Sequence, residues 1–420
     1  MPEAGAASAF SSRDGELWCA DVPISELVAR YGTPLYVYSA VEMRARVRRL
    51  RRAFGERSLI CFAVKANPNL HVLSMLHGQG CGFDLVSGGE LERLRLAGLP
   101  ASGSVFAGVA KQPWEIEAAV AAGVKFINVE SPHELALLSE AGEAAGAPVR
   151  VALRINPDVD AGTHPYISTG TKENKFGVAL SVAGGVVDMI SADPWLNLVG
   201  YHVHLGSQLL SVAPYRAALD RMLEFVDGDA RRRDGVRYYD LGGGFGLSFG
   251  EAEPLDVGEI AQALMPDLDR VGWTPVVEPG RFITGEAGAL ITSVVGEKEQ
   301  GGANFVLVDA AMNDFIRPAL YGAEHPIVPV AASAGAPERV VDVVGPVCET
   351  SDFLGRARSL PRLARGDLLA VLAAGAYGAS MSSNYNSRLR PAEVLVDGQS
   401  FRLVRRRETL QSLCEDELEC

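Results

Sequence analysis

The chain has 420 residues, with 39 Lys and Arg against 52 Asp and Glu, for a formal charge of −13. That balance argues against nucleic-acid binding, which uses a basic face. A hydrophobic fraction of 48% with 22% charged residues is too apolar for a disordered chain. The six cysteines, at positions 19, 61, 81, 348, 414 and 420, include no CxxC pair, which argues against zinc-ribbon and thioredoxin-like sites. No run of about 18 apolar residues predicts a membrane span. The start, MPEAGAASAFSSRDGE, lacks the basic and apolar segments of a signal peptide. The expectation is a soluble cytoplasmic protein with reduced thiols and no membrane or nucleic-acid partner.

Length suggests two or three domains, although an α/β barrel uses about 250 residues as one. From about residue 58 to 285, short apolar segments alternate with helical stretches. The predicted strands are LICFAVKAN (59–67), GCGFDLVS (80–87), SVFAGV (104–109), FINVES (126–131), VRVALRIN (149–156), LVGYHVHLG (198–206), VRYYDLGGG (236–244) and TPVVEPGR (274–281). Helical stretches between them include 89–98, 113–123, 131–146 and 215–227. Alternation implies parallel pairing, and eight units imply an α/β fold of the (β/α)8 TIM barrel type over residues 36–285. After 286 the pattern becomes strands and turns, with a hairpin signal in VLVDGQSFRLV. Residues 286–420, joined by 1–35, are read as a C-terminal all-β domain, sandwich-like or barrel-like. The end, ETLQSLCEDELEC, is acidic and helix-prone.

Polar residues gather at the C-terminal ends of the predicted strands, where barrel enzymes build their sites. They are Lys65 and Asn67, Asp84 and Ser87, Glu130, Arg154 and Asn156, His202 and His204, Gly242 to Gly244, and Glu278 with Arg281. Strand ends meet solvent in any case, which accounts for Asn67 or Ser87 but less well for a lysine and two histidines in apolar runs. Lys65 in FAVKAN is expected to be partly desolvated and so suited to Schiff-base chemistry. A snorkelling or ion-paired lysine is equally consistent with that segment. Asp84 is a candidate partner for Lys65, and Arg154 for Asp84.

DLGGGFG (240–246) lets backbone N–H groups approach a phosphate, with a plain tight turn as the alternative. GLSFG (246–250) formally matches a nucleophile elbow, but no strand directly precedes Ser248 and no helix follows, so that reading fails. His202 and His204 fall on one face of a strand. They could hold a metal, though neighbouring strands offer no further histidine, or supply one ring that stacks on a flat cofactor and one that packs beneath. EPGR (278–281) offers Glu278 for a protonated ring nitrogen and Arg281 for a carboxylate or phosphate, against an ordinary surface ion pair. GPVCETSDF (345–353) presents Cys348 with Glu349 and Asp352, although a buried inert cysteine is commoner. GAYGASMSSNYN (375–386) sets Tyr377 in a glycine-bracketed loop rich in small polar groups. An amine, a glycine cradle, an imidazole face and a carboxylate for a ring nitrogen are together what pyridoxal 5′-phosphate requires.

Over nearly its whole length the sequence resembles the diaminopimelate decarboxylases, barrel-type pyridoxal-phosphate enzymes akin to eukaryotic ornithine decarboxylases and alanine racemases. The segments that carry the resemblance are FAVKAN, FDLVSGGEL, RINPDVDAGTHPYISTG, NKFG, HVHLGSQ, DLGGGFG, EPGR, MNDFIRPALYG, GPVCE and GAYGASMSSNYNSR. The resemblance implies decarboxylation of meso-2,6-diaminoheptanedioate (meso-diaminopimelate) to L-lysine and CO2, the last step of lysine biosynthesis. It implies that Lys65 carries the cofactor and that His204 stacks on its ring. Ser207, Gly242, Gly243, Gly244, the EPGR turn with Gly280, and Tyr377 would hold the phosphate, and Glu278 the ring nitrogen. Arg281, Arg317 and Tyr321 would bind substrate carboxylates. Cys348, as proton donor, and Glu349, toward the substrate's distal ammonium, would reach into the partner's site of a homodimer. Two positions depart from the family pattern, which has glycine where Ser351 and Ala311 stand. The competing readings are a related decarboxylase acting on another amino acid, a cofactor-binding regulator without turnover, and a metal-dependent barrel hydrolase using His202 and His204.

Overall fold

The computed structural model describes residues 9–159, 175–247, 255–331 and 337–418. Residues 160–174, which hold THPYISTG, together with Ser248 of the GLSFG string and Cys420, lie outside these residues. The chain divides into two compact units, Arg46–Phe282 and Met1–Ala45 with Ile283–Cys420.

The first unit is a closed parallel barrel. Its strands are Leu59–Ala63, Gly82–Leu85, Val105–Phe106, Phe126–Val129, Val149–Asn156, Leu196–His202, Tyr238–Asp240 and Thr274–Val277. Each pairs in parallel with the next, and Val276 and Val277 return to Leu59 and Ile60 to close the ring. All eight predicted strands are present. They read as continuous apolar runs because a barrel strand is covered on both faces, by the interior and by the helices outside. Cys61, Val105, Phe126, Ala152, Val199 and Val276 form one buried cluster.

The third strand is only Val105–Phe106, shorter than the segment 104–109 predicted for it, because the chain then turns through Gly108 (φ 103°) and Ala110 (φ 56°). Helices Gly88–Leu96, Pro113–Ala121, Glu134–Ala145 and Ala213–Asp227 match the predicted stretches. Leu70–His77, Leu180–Ala192 and Val257–Val271 are additional helices. Two rim residues serve local geometry: Ser87 Oγ accepts the Glu90 N–H at 3.2 Å as an N-cap, and Asn67 Oδ1 accepts the Asn69 N–H at 3.2 Å.

The second unit is built on an extended sheet. Its path runs Phe353–Pro361, Glu338–Val344, Ala303–Val308, Gly288–Gln300, Leu35–Ser39, Ala392–Asp397 and Ser400–Arg405. Gly288–Gln300 shifts register between Val294 and Gly296; its first half pairs with Leu35–Ser39 and Leu368–Val371, its second with Ala303–Val308. The predicted Asp-Gly hairpin lies at the end of the path, with Gly398 at φ 62°. Three short strands, Phe10–Arg13, Glu16–Cys19 and Val22–Pro23, add the N-terminal segment, whose Leu17 N–H donates to the Val330 carbonyl. Phe10, Leu17, Val22, Ile24, Leu35, Ile291, Val330 and Val394 share one core. The acidic C-terminal segment forms the helix Leu410–Leu418.

Candidate active site

In the barrel unit, the groups picked out in the sequence converge at the C-terminal ends of the strands. The strand Leu59–Ala63 ends two residues before Lys65, which sits in a 3-10 turn, Val64–Ala66. Its side chain is 40% exposed, so it is less buried than an in-strand lysine, and Nζ meets Asp84 Oδ2 at 2.5 Å. Burial pushes the Asp84 carboxyl up, Glu278 adds to that, and Lys65 opposes it. Arg154 does not pair with Asp84. It donates to Glu130 Oε1 at 2.6 Å, and Glu130 also accepts the Gly177 N–H.

The strand Leu196–His202 stops at His202, so His204 lies on the loop beyond it. His202 is buried, and its Nε2 lies 3.5 Å from Glu278 Oε2. Burial would push the Glu278 carboxyl up, but His202 and then Lys65 outweigh burial and hold it well below the usual carboxylate range. Asp240, on the strand between them, is pushed well up by burial and by Glu278. Glu278 is therefore a buried anion, not half of a surface ion pair with Arg281, which instead donates to Ser207 Oγ at 3.2 Å. Burial and the neighbouring Arg154 push His204 down to about 3, leaving a neutral ring whose Nδ1 accepts the Gly243 N–H at 3.2 Å.

The glycine loop has no room for side chains. A Cβ on Gly242 would lie 2.5 Å from His204 Nδ1, one on Gly243 2.3 Å from the Glu278 carbonyl oxygen, and one on Gly244 2.4 Å from that of Gly206. The loop is held by residues whose part in it the motif reading did not identify. Asp240 Oδ1 accepts the Gly242 N–H at 2.9 Å, and Tyr215 Oη donates to the Gly243 carbonyl at 2.9 Å. Gln208 bonds both backbone groups of Leu247. Gln208 was visible inside HVHLGSQ, whereas Tyr215 carries no local signal because its contact is 28 residues away. The EPGR turn is tied to the first strand, as Pro279 accepts the Ala63 N–H, and Gly280 is buried within it.

These residues fit pyridoxal phosphate. Glu278 Oε1 is buried without a hydrogen-bond partner, which suits a ring N–H, and the side-chain-free loop Gly242–Gly244 suits a phosphate. His202, His204 and Glu278 also bring three ligand atoms within 4.8 Å of one another. Among those atoms, His204 Nδ1 already serves Gly243, and His202 Nε2 lies 3.5 Å from Glu278 Oε2.

In the second unit, Arg317 opens the short helix Arg317–Tyr321 and is buried. Its guanidinium lies 5.5 Å from the Tyr321 ring and 5.9 Å from the Tyr377 ring. Tyr377 has φ 55°, and the flanking glycines are close-packed: a Cβ on Gly375 would fall 2.0 Å from the Thr284 carbonyl oxygen, and one on Gly378 2.7 Å from Tyr36 Oη. Cys348 is exposed, not buried and inert, and its N–H donates to Asn386 Oδ1 at 3.1 Å. Glu349 accepts from Tyr385 Oη. Asp352 fixes this loop by accepting the Met312 and Val347 N–H groups, each at 2.7 Å. Neither Ser351 nor Ala311 has a positive φ, so the missing glycines cost no backbone strain.

Among the described residues, no helix is long and apolar enough to cross a membrane. Residues 40–285 match the family model for the pyridoxal binding domain of pyridoxal-dependent decarboxylases. The chain is 48% identical to the diaminopimelate decarboxylase of Pseudomonas aeruginosa, over 96% of this chain and 97% of that one. It is 46% identical to that of Neisseria meningitidis, over 96% and 99%. Among solved structures, diaminopimelate decarboxylase from Helicobacter pylori complexed with L-lysine superposes with a TM-score of 0.90 at 40% identity, covering 94% of this chain and 99% of that one.

Proposed function

We infer, for a chain that belongs to the pyridoxal-dependent decarboxylases and within them to the diaminopimelate decarboxylases, that it converts meso-diaminopimelate to L-lysine and CO2. The observation that carries this reading is the buried Glu278 anion set in one barrel mouth with Lys65. Bound pyridoxal phosphate supplies an electron sink for the pair released when the carbon–carboxylate bond breaks.

The chain's residues do the rest. Lys65 Nζ would hold the cofactor, with Asp84 keeping the amine placed. Glu278 would keep the ring nitrogen protonated, and the neutral His204 would present its face to the ring. Gly242, Gly243, Gly244, Ser207, Gly280 and Tyr377 would hold the phosphate. Arg281, Arg317 and Tyr321 would bind carboxylate. A bidentate arginine–carboxylate pair is roughly twice as strong as a neutral hydrogen bond, so an arginine at the distal end favours a diacid over ornithine. The distal carboxylate is the one that survives into L-lysine.

Cys348 Sγ would return the proton to the reacting carbon and Glu349 would meet the distal ammonium, both acting in the site of a second copy within a homodimer. Their exposure supports that role. The test is CO2 release from meso-diaminopimelate with and without pyridoxal phosphate, for the native protein and Lys65→Ala. Turnover is expected only in the cofactor-supplied native protein. Equal turnover of ornithine, lysine and meso-diaminopimelate would refute the substrate assignment.

A further inference from the structure

We propose that His325 is a positioning residue for substrate recognition, holding Arg317 so that its Nη groups meet the distal carboxylate. This rests on the reading of Arg317 as a carboxylate-binding arginine and adds the residue that aims it. His325 is 2% exposed, and two hydrogen-bond contacts of its ring bear on its chemistry. Nδ1 lies 3.2 Å from the Leu372 carbonyl oxygen, and Nε2 lies 3.4 Å from Arg317 Nε. A carbonyl can only accept and a guanidinium can only donate. Nδ1 therefore carries the proton, Nε2 accepts, and the imidazole is neutral in this arrangement.

The Phe315 ring meets the imidazole edge-to-face, with centroids 4.7 Å apart, and fixes its plane. The chain of contacts runs from the backbone of the strand region at Leu372, through His325, to an arginine set beside Tyr321 and Tyr377. With Nε engaged by His325, a carboxylate can meet Arg317 only through the Nη groups, which fixes the direction of approach. The bond from Nε is long, so its part is orientation: a guanidinium that can swing loses the preorganisation that a bidentate contact needs.

L-Lysine and 1,5-diaminopentane separate this role from others, because the first keeps the distal carboxylate and the second has none. Binding of each to the cofactor-loaded protein is measured by titration calorimetry, with KM and kcat for meso-diaminopimelate alongside. His325→Gln can place its amide oxygen where Nε2 stood, whereas His325→Asn can serve only the Leu372 carbonyl. His325→Asn is expected to weaken L-lysine and raise KM by about tenfold, and to leave kcat and diaminopentane binding within about twofold. His325→Gln is expected to stay near the native values. Equal L-lysine affinity in native protein and both variants, with Arg317→Met weakened, would overturn the role of His325 and leave that of Arg317 standing. Unchanged L-lysine affinity in Arg317→Met would overturn the reading of Arg317 itself.

Discussion

Glu278 is the residue whose environment departs furthest from that of an ordinary surface acid. It is buried, yet it is held well below the usual carboxylate range because His202 and Lys65 face it, while burial and Glu278 push the neighbouring Asp240 up. A carboxylate so placed is poised to stabilise a positive ring nitrogen and to lose little by reorganising. Glu278→Gln keeps the size and removes the charge. The variant is expected to fold and to release CO2 from meso-diaminopimelate more slowly by about 10²–10³-fold. Native-like turnover would show that the anion is not needed. Because the carboxyl is held well below its usual range, its own titration is not expected to shape the rate between pH 5 and 9.

At the scale of elements, the strands were legible because each is an apolar run with a polar residue at its end. The helices Leu180–Ala192 and Val257–Val271 were less so, the first carrying an internal Gly-Gly pair and the second Pro266 inside it. The N-terminus of Gly88–Leu96 shows what sequence alone leaves unclear. Ser87 reads equally as a solvent-facing strand end, but its Oγ caps the helix while Glu90 Oε2 accepts the Val86 N–H at 2.8 Å. Burial pushes Glu90 up to about 7, with Asp84 adding to it, above its ordinary 4.5.

A folded-state value above the unfolded one means that the native state holds the proton more tightly. The contribution to stability is then largest at low pH and is lost as pH rises from 4.5 through 7. Glu90→Gln retains an acceptor for Val86 and carries no charge. It is expected to gain on the native protein by roughly 1–3 kcal/mol between pH 5 and pH 8 in urea unfolding. A difference that does not change with pH would remove Glu90 as the cause.

For the whole molecule, the residues proposed to act lie in both units, Lys65, His204 and Glu278 in the barrel and Arg317, Cys348, Glu349 and Tyr377 in the sheet-built unit. The motifs made membership of each unit readable, since FAVKAN and GPVCE carry their chemistry locally. Contacts such as Arg317 to His325 or Tyr215 to Gly243 were not readable, because tertiary folding alone brings those groups together. If Cys348 acts in the site of a second copy, a protein lacking Lys65 and one lacking Cys348 each have no complete site, yet a mixed dimer regains one. Lys65→Ala and Cys348→Ala are therefore each expected to be nearly inactive. Unfolded and refolded together in equal amounts, half of the dimers are mixed and each carries one intact site, so activity should return to about a quarter of native. If the pair is no more active together than apart, while capture on a tag carried by one variant brings down the other and so shows that mixed dimers form, then Cys348 serves the site of its own chain. A recovery that scales with subunit exchange places it across the interface.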